Sequence, residues 1–263
     1  MLNFSKYQGT GNDFILIDNR DLSVNISSAN IAALCHRRFG IGADGLMLLQ
    51  NKTGYDFEMI YFNADGNQSS MCGNGGRCIA AFAAYLGIIK DKGTFWAIDG
   101  EHPVEIKENK QSEMLVSLKM IDVTKIKSGN DYFVLNTGSP HYILFTDNVE
   151  QINVIKQGKE IRNSSSFIKE GINVNFVEIK SNSIKMRTYE RGVEDETFSC
   201  GTGATAAGIA AIFSGKLTNT ESVQVQVPGG NLKVHFSKTG TEGFSDIWLE
   251  GPATFVFTGK IEI

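Results

Sequence analysis

A duplication runs through this chain at an offset of 128 residues, the spacing between Cys72 and Cys200. Met71-Cys-Gly-Asn-Gly75 stands against Ser199-Cys-Gly-Thr-Gly203, and the stretches that follow match at Ala83 with Ala211 and at Gly87 with Gly215. Nine residues before each cysteine lies a polar residue, Asn63 in one half and Arg191 in the other, each just after an expected strand. A weaker echo relates Gly9-Thr-Gly-Asn12 to Thr137-Gly-Ser-Pro140 at almost the same offset. Self-similarity at a fixed offset means that one structural unit occurs twice. The polar stretch Asp122 to Asn130, with Ser128-Gly-Asn130, reads as the connection between the copies.

Strands dominate the expected structure. Period-two alternation with β-branched and aromatic residues marks Phe14 to Asp18, Phe57 to Phe62, Val104 to Lys107, Leu115 to Lys119 and Tyr132 to Leu135. It continues through Val174 to Lys180, Ile184 to Tyr189, Val223 to Val227, Leu232 to Phe236 and Thr254 to Phe257. One helix is expected from about Ser28 to Arg38, and two more begin just after Cys72 and Cys200, where Gly-rich turns give way to Ala-rich stretches. Strand-rich, non-alternating order predicts an α+β fold with mostly antiparallel sheet.

Composition removes several function classes. Net charge is −4, with no block of like charge, so neither nucleic acid nor an anionic membrane is an expected partner. The most apolar run, Ile79 to Ile89, is shorter than the roughly 20 residues that span a bilayer. The N-terminus lacks a basic start followed by a long apolar stretch, so a secretory signal is not expected and the cytoplasm is the predicted location. The four cysteines, Cys35, Cys72, Cys78 and Cys200, then read as reduced thiols rather than a disulfide framework. None forms C-x-x-C and the four histidines show no ligand spacing, so no metal site is expected. No pyridoxal-binding lysine is recognisable, and no cofactor is expected.

A cysteine at the entry to a helix sits where unpaired N–H groups and the helix dipole favour negative charge, which stabilises the thiolate. The same N–H groups are a cradle for a carboxylate. Inverting a Cα centre needs a base on one face and an acid on the other, of similar acidity. A thiolate and a thiol supplied by duplicated units meet that need in either direction.

Together, Gly9-Thr-Gly-Asn-Asp-Phe14, Phe39-Gly-Ile-Gly-Ala-Asp-Gly45, Phe62-Asn-Ala-Asp-Gly66, Met71-Cys-Gly-Asn-Gly75, Glu190-Arg-Gly192 and Ser199-Cys-Gly-Thr-Gly203 make the chain resemble the diaminopimelate epimerases over nearly its whole length. The resemblance implies two pseudo-symmetric domains, each a curved sheet around a central helix, with the active site in the cleft between them. These domains are taken as residues 1–118, completed by a strand at about 254–263, and residues 119–253. It also implies interconversion of L,L- and meso-diaminopimelate, towards lysine and peptidoglycan precursors, with Cys72 and Cys200 as the proton donor and acceptor pair, which of them serves which face being left open. By the family pattern Asn12, Asn63, Asn173, Glu190 and Arg191 hold the substrate's polar ends, and Gly73, Asn74, Gly201 and Thr202 offer backbone N–H groups to the reacting carboxylate. Arg191 suits a distal carboxylate because a guanidinium binds it bidentately. His141 and Glu190 are placed near the thiols, where they tune ionisation. The expected partner is a small amino acid, with a homodimer left open.

Two positions depart from that pattern: the family often has Asn where Ser139 stands, and some members have Gln where Gly45 stands. Cys35 and Cys78 read as small buried hydrophobes outside the catalytic pair. Other readings compete with the epimerase. A proline or hydroxyproline racemase also uses paired cysteines. Gly40-Ile-Gly-Ala-Asp-Gly45 satisfies G-x-G-x-x-G, and Gly201-Thr-Gly-Ala-Thr-Ala206 satisfies its G-x-G-x-x-A variant, which would suit a nicotinamide-dependent oxidoreductase only within a parallel strand–helix–strand unit. A non-catalytic binding module predicts that both cysteines are dispensable.

Overall fold

Residues whose apolar side chains alternate form half-buried strands: burial alternates residue by residue along Phe57–Asn63 and again along Ser222–Val227. The computed structural model describes residues 1–69, 71–110, 112–218, 221–240 and 243–262. It divides into two compact units, Met1–Leu118 with Gly251–Ile263, and Lys119–Glu250.

In the first unit the chain runs β1 (Leu2–Gly9), β2 (Asn12–Asp18), α1 (Ser28–Cys35), β3 (Gly45–Gln50), β4 (Phe57–Asn63), α2 (Gly73–Tyr85), β5 (Lys92–Ala97), β6 (Gly100–Lys110) and β7 (Glu113–Lys119). The second unit holds β8 (Ile126–Ser128), β9 (Tyr132–Asn136), β10 (Pro140–Phe145), α3 (Val154–Arg162), β11 (Asn173–Ile179), β12 (Ser183–Glu190), β13 (Asp195–Thr197), α4 (Gly201–Phe213), β14 (Ser222–Val227) and β15 (Gly230–Thr239). The last strand, β16 (Gly243–Ile261), serves the second unit up to Glu250 and the first from Gly251.

The fold is α+β and dominated by antiparallel pairing, as the strand order predicts. Parallel pairs occur at β2–β3, β4–β5, β10–β11 and β12–β14. A helix lies between the partners of each, because a parallel neighbour is reached only by a crossover. In the first unit the sheet closes on itself: Gly251–Thr254 of β16 pair with β7, and from Thr254 onward β16 pairs with β1 from Gln8 back to Leu2. In the second, the sheet runs β8-β9-β10-β11-β12-β14-β15-β16, and Val123, just before β8, bridges back to Phe244 of β16.

Each sheet wraps one helix. α2 packs on β1, β2, β3 and β6, and α4 on β9, β10, β11, β12, β14 and β15. Every residue of α2 from Gly73 to Ala83 is buried, which explains its small apolar composition. Both helices stop at a left-handed glycine, Gly87 at φ +72 and Gly215 at φ +70, the pair aligned by the duplication. Ile88 N–H donates to the Ala83 carbonyl at 2.9 Å and Gly87 N–H to Ala84 at 3.0 Å, which satisfies the last carbonyls of α2.

The helix expected over Ser28 to Arg38 ends at Cys35. The chain doubles back there, and Gly42 and Ala43 N–H bond to the Leu34 and Cys35 carbonyls at 3.0 Å. A Cβ on Gly40 would come within 2.1 Å of the Ala33 carbonyl oxygen, so glycine is required for that return.

Candidate active site

In both units the cysteine is the N-cap residue of the enclosed helix, in extended conformation. Cys72 Sγ accepts from Gly75 N–H at 3.2 Å, the bond a capping oxygen normally makes. Its thiol also lies 3.9 Å from Asn12 Oδ1. The Asn12 amide is oriented by a charged network, since its Nδ2 donates to Asp44 at 2.6 Å and turns the carbonyl towards the sulfur. Asp44 shares Arg37 with Asp13, and Asp13 also pairs with Lys6 at 2.7 Å. Burial opposes ionisation of Asp13, but Arg37 and Lys6 outweigh it and hold its carboxyl down at about 2. Asn74, next to Cys72, is buried, and its Nδ2 reaches the same Asn12 carbonyl at 3.4 Å.

The turn joining β1 to β2 brings Asn12 here. Its two central residues, Thr10 and Gly11, have φ +51 and +87, the pattern of a two-residue hairpin loop matched to strand twist. Asn63, at the end of β4, is exposed. Gly45 begins β3 and is closed to any side chain, since a Cβ there would approach the Tyr61 ring to 2.5 Å.

The sulfur of Cys200 is supported differently. It makes no capping bond to the helix and lies 3.5 Å from Thr202 Oγ1. Thr202 Oγ1 is 2.9 Å from His141 Nε2, and Asn175 Nδ2 is 3.1 Å from His141 Nδ1 and also from the Tyr142 carbonyl. The carbonyl of Tyr142 fixes the Asn175 amide with its NH2 towards the ring, so Nδ1 accepts and Nε2 carries the proton. His141 therefore donates to Thr202 Oγ1, whose own proton is directed away, towards the sulfur. Burial, reinforced by Arg191, pushes His141 down to about 3, so the ring is neutral.

Gly75 and Gly203, equivalent in the duplication, explain the final glycine of C-G-x-G. A Cβ on Gly75 would lie 2.4 Å from Met47 and 3.2 Å from Cys72 Sγ, and one on Gly203 would lie 2.5 Å from Asn175 Oδ1 and 3.3 Å from Cys200 Sγ. Gly73 and Gly201 open the two helices, where the first N–H groups have no intrahelical acceptor.

A second cluster forms around Asn173 and Arg191. Asn173 is buried; its Nδ2 donates to Ser139 Oγ at 2.8 Å and to the Pro140 carbonyl at 3.0 Å, and its Oδ1 accepts from Arg191 N–H at 2.9 Å. The exposed Arg191 guanidinium donates to the Glu170 carbonyl at 3.0 Å and lies 3.4 Å from Ser139 Oγ, so neither partner is a carboxylate. Glu190, at the end of β12, accepts from Thr197 Oγ1 at 2.8 Å.

Sequence reasoning did not single out Asp44, Asn175 or Thr188, which fix Asn12 and His141. Asp44 stood inside a quoted motif, but Asn175 and Thr188 carried no signal, as ordinary strand residues that become a support only when β11 pairs with β12.

The glycine run Gly40 to Gly45 lies between α1 and β3, after a helix and before a strand. That is the reverse of the dinucleotide fingerprint. The run from Gly201 follows the short antiparallel β13 rather than a parallel strand.

The sequence matches the family model for diaminopimelate epimerase over residues 4–125 and 133–256. The chain is 52% identical to the diaminopimelate epimerase of Flavobacterium psychrophilum, covering 97% of this chain and 98% of that one. To the diaminopimelate epimerase of Chlorobaculum tepidum it is 41% identical, over 97% and 99%. Among solved structures it is similar in fold to a Bacillus anthracis phenazine biosynthesis protein of the PhzF family, with a TM-score of 0.76 at 16% identity over 100% and 99% of the two chains. A hydroxyproline epimerase from Agrobacterium vitis superposes with a TM-score of 0.66 at 12% identity, over 99% of this chain and 90% of that one. With both cysteine units inside the matched segments, the chain belongs to the diaminopimelate epimerase family.

Proposed function

We propose that the chain interconverts L,L- and meso-diaminopimelate by moving a proton at one Cα between Cys72 and Cys200. The observation that carries the reading is the repeated placement of a cysteine as N-cap of the enclosed helix in each unit. One thiolate removes the α-proton and the other group, as a thiol, returns a proton to the opposite face; the reverse reaction exchanges their roles. The N–H groups of Gly73, Asn74, Gly201 and Thr202 at the helix N-termini receive the reacting carboxylate and stabilise the carbanion-like transition state. Arg191, with its hydrogen bonds going to neutral acceptors, takes the distal carboxylate, and Asn173 and Ser139 hold it in place. Asn12, Asn63 and Glu190 complete the polar contacts. A pyrrolidine amino acid has no distal carboxylate for Arg191, which favours diaminopimelate over proline.

The test is incubation with L,L-diaminopimelate in deuterated water, followed by chiral chromatography and mass spectrometry. The wild type is expected to incorporate deuterium at the α-carbon while forming the meso isomer. Cys72→Ala and Cys200→Ala are each expected to reduce epimerisation by at least about 10³-fold, within the range for a positioned acid or base. Turnover of proline with diaminopimelate untouched overturns the substrate assignment. Retained epimerisation in either variant overturns the two-base reading.

A further inference from the structure

Arg77 lies one turn into α2 with no part of it exposed to solvent, and no step of the reaction proposed above uses it. Its guanidinium has four acceptors: the Gly73 carbonyl at 3.1 Å, Asn74 Oδ1 at 3.1 Å, Thr10 Oγ1 at 3.3 Å and the Pro252 carbonyl at 3.4 Å. All four are neutral. A cation in the interior of a protein is costly unless a negative charge accompanies it.

The acids bordering this end of the unit are committed elsewhere. Asp13 of β2 pairs with Lys6 of β1 and with Arg37, and Asp44, before β3, pairs with Arg37. Asp99, after β5, bonds to His102 of β6 and to Met71 N–H. Burial raises Tyr7 of β1 and Cys78 of α2 and keeps both protonated. Tyr61 of β4 is packed where a side chain on Gly45 would stand. Burial pushes Arg77 itself down to about 10, still a cation at neutral pH; the thiols that oppose that fall are Cys78 and Cys72, and with Cys78 held protonated, Cys72 is the one left to carry a charge.

The other unit lacks this cation. Thr205 occupies the equivalent position, and its Oγ1 bonds to the Gly201 carbonyl at 3.0 Å as Arg77 bonds to Gly73. The duplicated helices therefore differ in charge beneath otherwise matching cysteines.

We propose that Arg77 is a positioning residue for Cys72: its buried guanidinium is the counter-charge that makes Cys72 the resting thiolate, and its bonds to Thr10 and Pro252 fix the β1–β2 turn and β16 against the entry of α2. This deepens the two-thiol reading and rests on it. Thr10 is a β-branched residue held at φ +51, a conformation that needs external support, and the bond from Arg77 provides it. Cys200 has a hydroxyl in place of the cation, and because that dipole favours a thiolate less than a full charge does, Cys200 is the resting thiol.

The test measures alkylation of each cysteine by iodoacetamide against pH in the full-length protein, quantified by peptide mass spectrometry, with circular dichroism confirming the fold. In the wild type, the Cys72 midpoint is expected below that of Cys200. Arg77→Met is expected to raise the Cys72 midpoint by about one pH unit, the low end for loss of a nearby opposite charge, and to leave Cys200 unmoved. Arg77→Lys keeps the charge and is expected to retain most of the low midpoint. An unmoved Cys72 midpoint in folded Arg77→Met, or an equal rise in Arg77→Lys, overturns the counter-charge. Where Arg77→Met does not fold, the wild type decides, since a Cys200 midpoint at or below that of Cys72 is equally fatal. The midpoints are read without turnover. Shifted midpoints in a protein that ignores diaminopimelate sink only the epimerase assignment, and unmoved midpoints in an active epimerase sink only the role of Arg77.

Discussion

Gly203→Ala and Gly208→Ala are the same chemical change on the same helix, yet the structure gives them opposite signs. A Cβ on Gly208 would meet Val223 and Val234 at 3.5 Å, ordinary contact distance. Alanine there gains helix propensity of about 0.5–1 kcal/mol and fills no occupied space. A Cβ on Gly203 would lie 2.5 Å from Asn175 Oδ1, so that atom must move. It does not move freely, because Asn175 is fully buried and bonded to Thr188 Oγ1, His141 Nδ1 and the Tyr142 carbonyl. Overpacking of this kind costs about 1–3 kcal/mol, which cancels the propensity gain and leaves Gly203→Ala less stable than Gly208→Ala by about 2 kcal/mol. Urea denaturation followed by circular dichroism measures that difference directly.

Activity gives a second reading of the same pair. Displacing Asn175 frees His141 and with it Thr202, so Gly203→Ala is expected to lower kcat by more than about tenfold while Gly208→Ala leaves it unchanged. Equal stability of the two variants would refute the claim that Asn175 is pinned. Equal activity with unequal stability would refute the link from His141 to the sulfur.

Three further outcomes follow from charge and proximity. His141 is neutral when folded, at about 3 against 6.5 when unfolded, so folding loses stability as pH falls below 6.5; between pH 6.5 and about 4.5 the loss is about 2.5 kcal/mol, and His141→Gln is expected to abolish that part of the slope in pH-dependent melts. Asp13 acts in the same sense in a lower pH window: its depressed carboxyl stabilises the fold above about pH 4, and that contribution is lost as pH falls through about 2. Asp13→Asn is therefore expected to cost about 1–2 kcal/mol at neutral pH, after screening, and nothing near pH 2 in denaturant titrations. The two-base proposal requires both sulfurs to reach one carbon, so under it mild oxidation without substrate is expected to link Cys72 to Cys200 and to abolish activity reversibly; intact thiols and undiminished turnover after oxidation count against a shared Cα.

The duplication made the cysteines, the helices behind them and the polar residues upstream legible, because each signal appeared twice. Strands with one solvated face were legible through alternation. β3 was not: Gly45–Leu49 is buried at every position, so no alternation exists to read. α3 was hidden too, since its sequence opens on Val154-Ile155 and contains Gly158. That glycine is there because a Cβ would meet Tyr189 at 2.3 Å, a tertiary reason that local propensity does not encode. At the site, the groups that hold the named residues come from far along the chain. Asn175 is 34 residues from His141 and Asp44 is 32 from Asn12, so only strand pairing brings them together.

The surroundings of the two cysteines show how a duplicated scaffold diverges. Cys72 is served by a helix N–H and a buried guanidinium and, when protonated, donates to a carbonyl turned by a carboxylate, while Cys200 is served by a hydroxyl aligned by a neutral histidine. A reversible two-base reaction requires acidities close enough for a proton to pass either way, and it also requires that the resting protein hold one proton, not two or none. Identical surroundings would satisfy the first requirement but leave the one shared proton on either sulfur with equal probability. Supporting the first sulfur with full charge and the second with a dipole lets the same backbone geometry satisfy both. Removing the asymmetry is therefore expected to impair the first proton transfer before it impairs folding.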